Sequence, residues 1–283
     1  MMHRFGIGQF LLAALASVTG ITVATSSSTP QESLVQSKPQ TSVAEDATLA
    51  VINNDGQHIG SAVSFQRKDG AHWAVTNQHV VADHASVCLI SRSGKSYPFS
   101  VIPLQLDKNH AMQMDIAFLK APSETTTGLT TAELQEMKSS QSLTFPIVVA
   151  TGYPTSAQAK RQMPPLHMSK GLLVPLLERE LEEGYDTTYT AHIEKGMSGG
   201  GVFIDERLVA INGAHSDPLW NFHWKDRYGK PVDASLNEKL GLLSIGISMR
   251  RILREFKRVD AIKAAHSDIE CRKPKEVKSL SSR

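Results

Sequence analysis

The sequence predicts an all-β protein built from two antiparallel β-barrels, on three observations. Short runs in which apolar and polar residues alternate begin near Ala47, as in strands with one buried face. Turn dipeptides separate these runs, at Asp55-Gly56, Asp69-Gly70 and Ser93-Gly94. After a polar interval the pattern resumes at residues 147–150, 189–193, 202–204 and 208–211. We therefore expect a first barrel over about residues 47–122 and a second over about 143–248.

Three segments depart from the strand pattern. Residues 123–142 are polar, and Thr130 and Glu133 have the spacing of a capping box, so we expect a short linker helix. An insertion follows at residues 155–183. Residues 249–259 are basic and amphipathic, which predicts a closing helix. The folded domain is thus expected to span residues 47–266 and to be followed by a polar tail at 267–283.

The N-terminus has the pattern of an export signal. A basic start is followed by an apolar run at residues 10–24 that ends in small residues suited to cleavage, so residues 1–24 are interpreted as a signal peptide. An uncleaved membrane anchor is the alternative, but glycine and polar residues dilute the run. Residues 25–46 have almost nothing to bury and predict a flexible spacer. We expect a periplasmic or extracellular protein without stable membrane insertion after cleavage.

The composition argues against several kinds of partner. The chain has 30 Lys+Arg against 28 Asp+Glu, a formal charge of +2, which predicts no nucleic-acid partner. His215, Asp217 and His223 lack the short spacing of a metal motif, so we predict no metal and no cofactor.

Cys88 lies in an apolar run and Cys271 in a charged tail, so we expect two free thiols. The sequence makes no prediction of the oligomeric state.

Three short segments carry the residue types of nucleophilic catalysis. His79 follows a strand-like run, Asp115 precedes the apolar residues 116–119, and Ser198 lies between glycines. A serine hydroxyl near neutral pH needs a base within hydrogen-bond reach, and the base needs a third group to fix its tautomer. A carboxylate at the start of a buried strand is costly unless it is paired. We therefore predict that Asp115 pairs with His79, and that His79 activates Ser198.

The glycines around Ser198 predict a second function for this segment. Attack on a carbonyl puts negative charge on its oxygen, which backbone N–H groups can stabilise. We expect Gly196 and Ser198 to supply these N–H groups as an oxyanion hole, since glycine allows a peptide orientation that a β-carbon resists.

These segments resemble the trypsin-like peptidases, and most closely their bacterial HtrA-like branch. TNQHVV at residues 76–81 is similar to the family's TNAHVV, and MDIAFLK at 114–120 to its NDLAVLK. GMSGGGVF at 196–203, followed by LVAING at 208–213, is similar to GNSGGPLxN followed by LxGINT. The resemblance covers about residues 47–212. It implies two six-stranded barrels with the site in the cleft, a secreted serine endopeptidase, and protein or peptide substrates.

Departures from the family pattern limit what the resemblance implies. Met197 stands where digestive members have aspartate, so activation by a newly cut N-terminus is not expected. Only 33 residues follow Arg250 (283 − 250), too few for the PDZ domain of large HtrA proteins. The resemblance places His192, Asn212, Gly213 and Ala214 around the primary specificity pocket. None of these residues is a carboxylate, so cleavage after Lys or Arg is not expected, and small aliphatic residues fit better. The His192 imidazole could instead favour a carboxylate-bearing or polar side chain.

Two other functions are compatible with parts of the sequence. The chain could be a catalytically inactive binding protein on the same fold, since fold alone does not establish chemistry. The segment Gly196-Met197-Ser198-Gly199-Gly200 also matches the nucleophile elbow of an α/β-hydrolase esterase, with Asp217 and His223 following in the required order. The residues after Ser198 resemble a hairpin and not a helix, which disfavours the esterase.

Overall fold

The structure, a computed structural model, describes residues 42–102, 104, 114–122, 126–137, 145–155, 163–215, 223–259 and 271. Six antiparallel strands form a closed first barrel in the order β1-β2-β3-β6-β5-β4; they are β1 (Thr48–Ile52), β2 (His58–Gln66), β3 (His72–Thr76), β4 (Ser86–Ile90), β5 (Ser96–Ile102) and β6 (Ala117–Lys120). The barrel closes where β1 pairs with β4. The three predicted turn dipeptides all lie between paired strands.

Strand periodicity explains how the first barrel is filled. Leu49 and Val51 of β1 are fully buried in the core with Leu89, Phe99 and Leu119. The alternate residues Ala50 and Ile52 belong to another cluster that contains Tyr153. Because successive side chains of a strand point to opposite faces, this division places one set inside the barrel and the other outside it. All five residues of β1 are consequently buried.

The second barrel is a half-barrel. Its strands follow the order β10-β13-β12-β11-β8-β9, and the short β7 pairs with β12 in parallel; they are β7 (Glu133–Leu134), β8 (Ile147–Gly152), β9 (His167–Leu172), β10 (Thr187–Tyr189), β11 (Gly201–Ile204), β12 (Arg207–Ala214) and β13 (Ser244–Ser248). The end strands meet only through a bridge between Leu173 and Tyr189 and its flanking hydrogen bonds. The predicted all-β fold with two barrels is confirmed.

The helices are short and lie around the two barrels: α1 (Val43–Asp46), α2 (Gln78–Val81), α3 (Ala234–Leu240) and α4 (Met249–Val259). The predicted closing helix is confirmed as α4. Its Phe256 ring lies 5.1 Å, 4.9 Å and 5.1 Å from the ring centroids of Phe65, Trp73 and Phe118. Since those rings belong to the first barrel and α4 follows β13, the helix holds the two halves together. No helix in the described ranges is long and apolar enough to span a membrane.

The predicted linker helix is wrong for the part of residues 123–142 that the structure describes. Ala132 N–H donates to Ser64 C=O (2.8 Å) in β2, and Glu133–Leu134 form β7 beside β12. The segment is therefore extended and bonded to both barrels. Backbone partners on two sheets outweigh a local capping-box preference, which contributes only about 1 kcal/mol.

The folded part begins before the predicted start at Ala47. Helix α1 is capped by Ser42, whose Oγ accepts from Glu45 N–H (3.2 Å), and Ala44 N–H donates to Glu206 Oε2 (2.9 Å). The Ser42 and Glu45 spacing is itself a capping box that could have been found in the sequence. The rest of the predicted spacer and the signal peptide lie outside the described residues, as does the polar tail apart from Cys271.

The prediction of free thiols is wrong, because Cys88 and Cys271 form a disulfide that closes a sequence separation of 183 residues. Cys88 of β4 is buried in the cluster that contains Tyr153, and Cys271 packs against the same cluster. Their dissimilar sequence settings gave no sign that Cys271 lies against the first barrel. The bridge therefore attaches Cys271 to β4.

We expect loss of this disulfide to lower the free energy of unfolding by about 2–5 kcal/mol, because the bridge restricts a long loop of the unfolded chain. Urea unfolding of the wild type and of Cys88→Ser measures the loss. Cys271→Ser should give the same value, and a reductant should shift the wild-type midpoint but neither variant's. Equal urea midpoints for the wild type and both variants, measured without reductant, would show that the disulfide does not stabilise the fold.

Candidate active site

The three residues predicted to act together come from different parts of the fold. His79 lies in α2, directly after β3, and Asp115 lies directly before β6 of the same barrel. Ser198 lies in the loop between β10 and β11 of the second half. The Ser198 loop is attached to the first barrel by Ser61 of β2, whose N–H donates to Ser198 C=O (2.9 Å) and whose Oγ donates to Gly196 C=O (2.9 Å). These bonds hold the Ser198 loop against the barrel that carries His79 and Asp115.

Asp115 and His79 are directly paired. The Asp115 residue is only 5% exposed, and its carboxylate accepts from His79 Nδ1 (Oδ2, 2.8 Å) and from His79 N–H (Oδ1, 2.9 Å). Asn77 Nδ2 donates to the Asp115 carbonyl (3.0 Å), which fixes the backbone on which the carboxylate stands. The two hydrogen bonds from His79 compensate the Asp115 carboxylate for the hydration that it loses on burial.

Sequence reasoning missed two further contacts of Asp115. The Tyr185 hydroxyl donates to Asp115 Oδ2 (2.6 Å), and the Asp115 N–H donates to Glu183 C=O (2.9 Å). Both residues lie in a turn near the end of the insertion, and Glu183 has a φ of 61°. No motif surrounds them, so only the fold could reveal that this turn reaches the carboxylate.

The imidazole of His79 has one free ring nitrogen. Nδ1 is engaged by Asp115, whereas Nε2 has no hydrogen-bond partner among the described residues, and the side chain is 53% exposed. Burial disfavours its protonation, but the hydrogen bond and charge of Asp115, with the charge of Glu183, outweigh burial and raise the His79 pKa. An Nδ1–H tautomer held by Asp115 leaves Nε2 able to accept a proton.

Ser198 is not hydrogen-bonded to His79 in this structure. Its hydroxyl donates instead to the carbonyl of Gly213 in β12 (3.3 Å). The structure therefore joins His79 and Asp115 directly, whereas the Ser198 loop is held against the first barrel by Ser61. Catalytic hydrogen bonds are often loose without substrate, and the hydroxyl would have to leave Gly213 to meet Nε2.

The backbone of the Ser198 loop presents two free donors. The N–H groups of Met197, Gly199 and Gly200 all have carbonyl acceptors. In the described part of the chain the N–H groups of Gly196 and Ser198, the two predicted oxyanion donors, have none. Gly196 has a φ of +95°, and a Cβ there would overlap Thr155. Glycine is therefore required for this loop conformation.

The residues predicted around the specificity pocket differ in their exposure and in their contacts. The His192 side chain is 61% exposed, with Nε2 3.9 Å from Glu194 Oε1, which does not fit the base of an enclosed pocket. Asn212 is fully buried: its Nδ2 donates to Thr151 C=O (2.8 Å) and Met197 C=O (3.2 Å), and its Oδ1 accepts from Tyr189 OH (2.8 Å). The Asn212 side chain thus braces the Ser198 loop. Gly213 contacts Ser198, and Ala214 is half-buried beside it.

The esterase alternative does not fit the observed fold. Ser198 is followed by the antiparallel strands β11 and β12, whereas a nucleophile elbow leads into a helix. His223 lies in a loop, and Asp217 lies outside the described residues.

Known proteins share the domain family and the fold of this chain. A family model described as the trypsin-like peptidase domain matches residues 50–211, more than half of the 283-residue chain. Among solved structures the chain is similar to an HtrA-type protease, AlgW, with a tripeptide (TM-score 0.52, 16% identity, 77% of this chain and 61% of that one). It is also similar to AlgW with a decapeptide (TM-score 0.51, 16% identity, 76% of this chain and 65% of that one).

The structural similarities concern the fold, since identity is only 16%, and the chain spans less than two thirds of the length of those structures. No curated protein matches the chain. The match over residues 50–211 nevertheless includes the segments that contain His79, Asp115 and Ser198. The chain belongs to the trypsin-like peptidase family.

Proposed function

We propose that the protein is a serine endopeptidase in which Ser198 attacks the peptide carbonyl, His79 is its base and Asp115 orients the imidazole. One observation carries this proposal: the buried Asp115 carboxylate binds His79 Nδ1 at 2.8 Å, while Nε2 has no hydrogen-bond partner among the described residues. A buried carboxylate that fixes a histidine tautomer is the arrangement that a serine nucleophile needs.

The chemistry proceeds by acyl transfer. The Ser198 hydroxyl leaves the Gly213 carbonyl, gives its proton to His79 Nε2 and forms a bond to the substrate carbonyl carbon. The N–H groups of Gly196 and Ser198 stabilise the resulting oxyanion, since neither donates within the described protein. The C–N bond then breaks as His79 protonates the leaving amine. Water, deprotonated by His79, releases the acyl group from Ser198.

The Asp115 carboxylate acts through its hydrogen bonds in these steps. Its three side-chain hydrogen bonds, from His79 Nδ1, His79 N–H and Tyr185 OH, are all donated to the charged form. The carboxylate therefore stabilises the imidazolium that forms when the serine proton is transferred, without taking a proton itself.

A second candidate is a non-catalytic protein that binds peptides on the same fold. It is favoured by the Ser198 hydroxyl, which donates to Gly213 and not to His79. In that case the cleft would bind peptides without forming an acyl intermediate.

Protein or peptide substrates outside the cytoplasm suit the first proposal. The similar AlgW structures are with a tripeptide and a decapeptide, and residues 1–24 have the pattern of an export signal. The Cys88–Cys271 disulfide supports an oxidising compartment such as the periplasm or the exterior, because such bonds are rare in the cytosol.

We expect kcat/KM to rise with pH through a group whose pKa lies above the 6.5 of an ordinary histidine. The base is neutral imidazole, and Asp115 and Glu183 raise the His79 pKa, so activity should be lost as the pH falls through that raised value. The pH dependence of kcat/KM measures it, with the fluorescence of folded protein as a control for acid unfolding. An acidic limb below 6.5 would contradict this assignment.

The proposed function is tested with the purified mature protein, a peptide library and a fluorophosphonate probe. We expect cleavage products by mass spectrometry and a single labelled peptide that contains Ser198. Peptide binding without cleavage and without labelling would instead support the non-catalytic candidate.

A further inference from the structure

The turn at residues 181–185 holds Asp115 from two sides. Leu181 N–H donates to Tyr185 C=O (2.8 Å), and Glu182 N–H donates to Lys225 C=O (2.9 Å), which closes the turn and attaches it to the following loop. From this frame the Glu183 carbonyl accepts from the Asp115 N–H (2.9 Å), and the Tyr185 hydroxyl donates to the carboxylate (2.6 Å). Asp115, which belongs to the first barrel, is therefore held by Glu183 and Tyr185, which follow β9 of the second barrel.

Packing fixes the direction of the Tyr185 hydroxyl. The residue is only 5% exposed, and its ring meets Trp224 edge-to-face, with centroids 6.0 Å apart and an interplanar angle of 88°. On another side the ring lies against Gly213, where an added Cβ would overlap it. Gly213 is also the residue whose carbonyl accepts from Ser198. A ring confined in this way cannot turn its hydroxyl from Asp115 without displacing its neighbours.

The hydroxyl is a permanent donor. Burial, reinforced by the charges of Asp115 and Glu183, raises the Tyr185 pKa far above its usual range, so the phenol keeps its proton. The hydrogen bond therefore always runs from Tyr185 to Asp115 and never in reverse.

Tyr185 and His79 bind the same carboxylate oxygen. Oδ2 accepts from both Tyr185 OH and His79 Nδ1, whereas Oδ1 accepts from the His79 backbone. A donor on Oδ2 withdraws negative charge from the atom that faces the imidazole, and it also restricts rotation of the carboxylate.

We propose that Tyr185 is a positioning residue of this site, which holds Asp115 Oδ2 toward His79 and moderates the basicity of the imidazole through that oxygen. The inference rests on the proposed function for its effect on turnover, but its effect on His79 is independent of turnover. The charged groups that act on His79 are Asp115 and Glu183, from the segment before β6 and from the turn.

Tyr185→Phe tests this role, because it removes the hydroxyl and keeps the ring against Trp224 and Gly213. We expect the His79 pKa, followed by NMR titration, to rise by about 0.5 pH unit or more as Oδ2 regains charge. For peptide hydrolysis we expect kcat to fall roughly 5–50-fold with KM changed less than about twofold, because the dyad is less well held. The acidic limb of kcat/KM should move upward with the pKa.

Two control variants separate this role from general loss of stability. Tyr153→Phe removes another buried hydroxyl, which contacts Thr48 C=O (3.4 Å), and should leave the His79 pKa unchanged. Glu183→Gln removes a negative charge near His79 and should lower its pKa, the opposite sign to Tyr185→Phe. Circular dichroism checks that each variant is folded.

The outcomes are distinguishable from failure of the proposed function. If the wild type neither cleaves peptides nor reacts with the fluorophosphonate, the proposed function fails, and the NMR titration still decides whether Tyr185 acts on His79. An unchanged His79 pKa in folded Tyr185→Phe overturns the inference, even if kcat falls. A fall in activity explained entirely by unfolded protein would overturn it as well.

Discussion

Ser198→Ala is expected to lower kcat for peptide hydrolysis by about 10⁴–10⁶, since it removes the atom that bonds to the substrate carbonyl. The fold should survive, because Ser198 Oγ makes a single hydrogen bond of 3.3 Å to Gly213, and its backbone bond from Ser61 does not depend on the side chain. The melting temperature should therefore change by no more than a few degrees, as expected for loss of about 1 kcal/mol or less.

A matched control for this variant is Ser93→Ala, which removes a serine hydroxyl from an exposed turn of the first barrel. It should retain full turnover and fluorophosphonate labelling. Initial-rate kinetics on one peptide substrate, corrected for folded protein, compare the two variants. Residual turnover of Ser198→Ala within about tenfold of the wild type would exclude Ser198 as the nucleophile.

Gly196→Ala is expected to lower kcat by about 10²–10³, the cost of losing one donor to the developing oxyanion. The φ of +95° is strained for a residue with a Cβ, and that Cβ would overlap Thr155 and approach Tyr153 C=O to 2.8 Å. The Gly196 peptide must therefore rotate or shift, which moves its N–H away from the carbonyl oxygen. We also expect stability to fall by about 1–3 kcal/mol from the backbone strain.

Gly94→Ala separates backbone strain from the loss of the oxyanion donor. Gly94 has a φ of +80°, and a Cβ there would meet nothing within 4 Å. Its substitution should reduce stability through the same left-handed backbone without changing kcat. Urea unfolding and kinetics on both variants make the comparison. A Gly196→Ala protein whose kcat stays within about threefold of the wild type would argue against the proposed oxyanion hole.

Local patterns were sufficient to predict much of the fold and of the site. Short apolar runs bounded by turn dipeptides predict strands such as β2 and β3, although both faces of these two strands are largely buried. His79 and Asp115 are found from a strand-end histidine and a carboxylate before an apolar run, and the structure pairs them. The physical reason is that both signals are local, since they depend on what lies within a few residues of each side chain.

Features that depend on contacts distant in sequence could not be predicted in this way. Residues 133–134 are extended because β12, more than 70 positions later, supplies their pairing partner. Cys88 and Cys271 are 183 residues apart in the sequence, and only the folded structure brings their sulfur atoms together. The hydrogen bonds from Tyr185 to Asp115 and from Tyr189 to Asn212 also join residues that are distant in sequence, so no local pattern predicts them.

We propose that Ser198, activated by His79, bonds to a carbonyl whose oxygen is stabilised by the Gly196 loop. A crystal structure of the protein after reaction with a peptidyl phosphonate tests this proposal. We predict a covalent bond from Ser198 Oγ to phosphorus, with a phosphonyl oxygen about 2.7–3.1 Å from the nitrogens of Gly196 and Ser198. His79 Nε2 should lie within about 3.2 Å of Ser198 Oγ or of a phosphonyl oxygen. Phosphorus attached to another residue, or an adduct on Ser198 with His79 and both N–H groups out of reach, would contradict it.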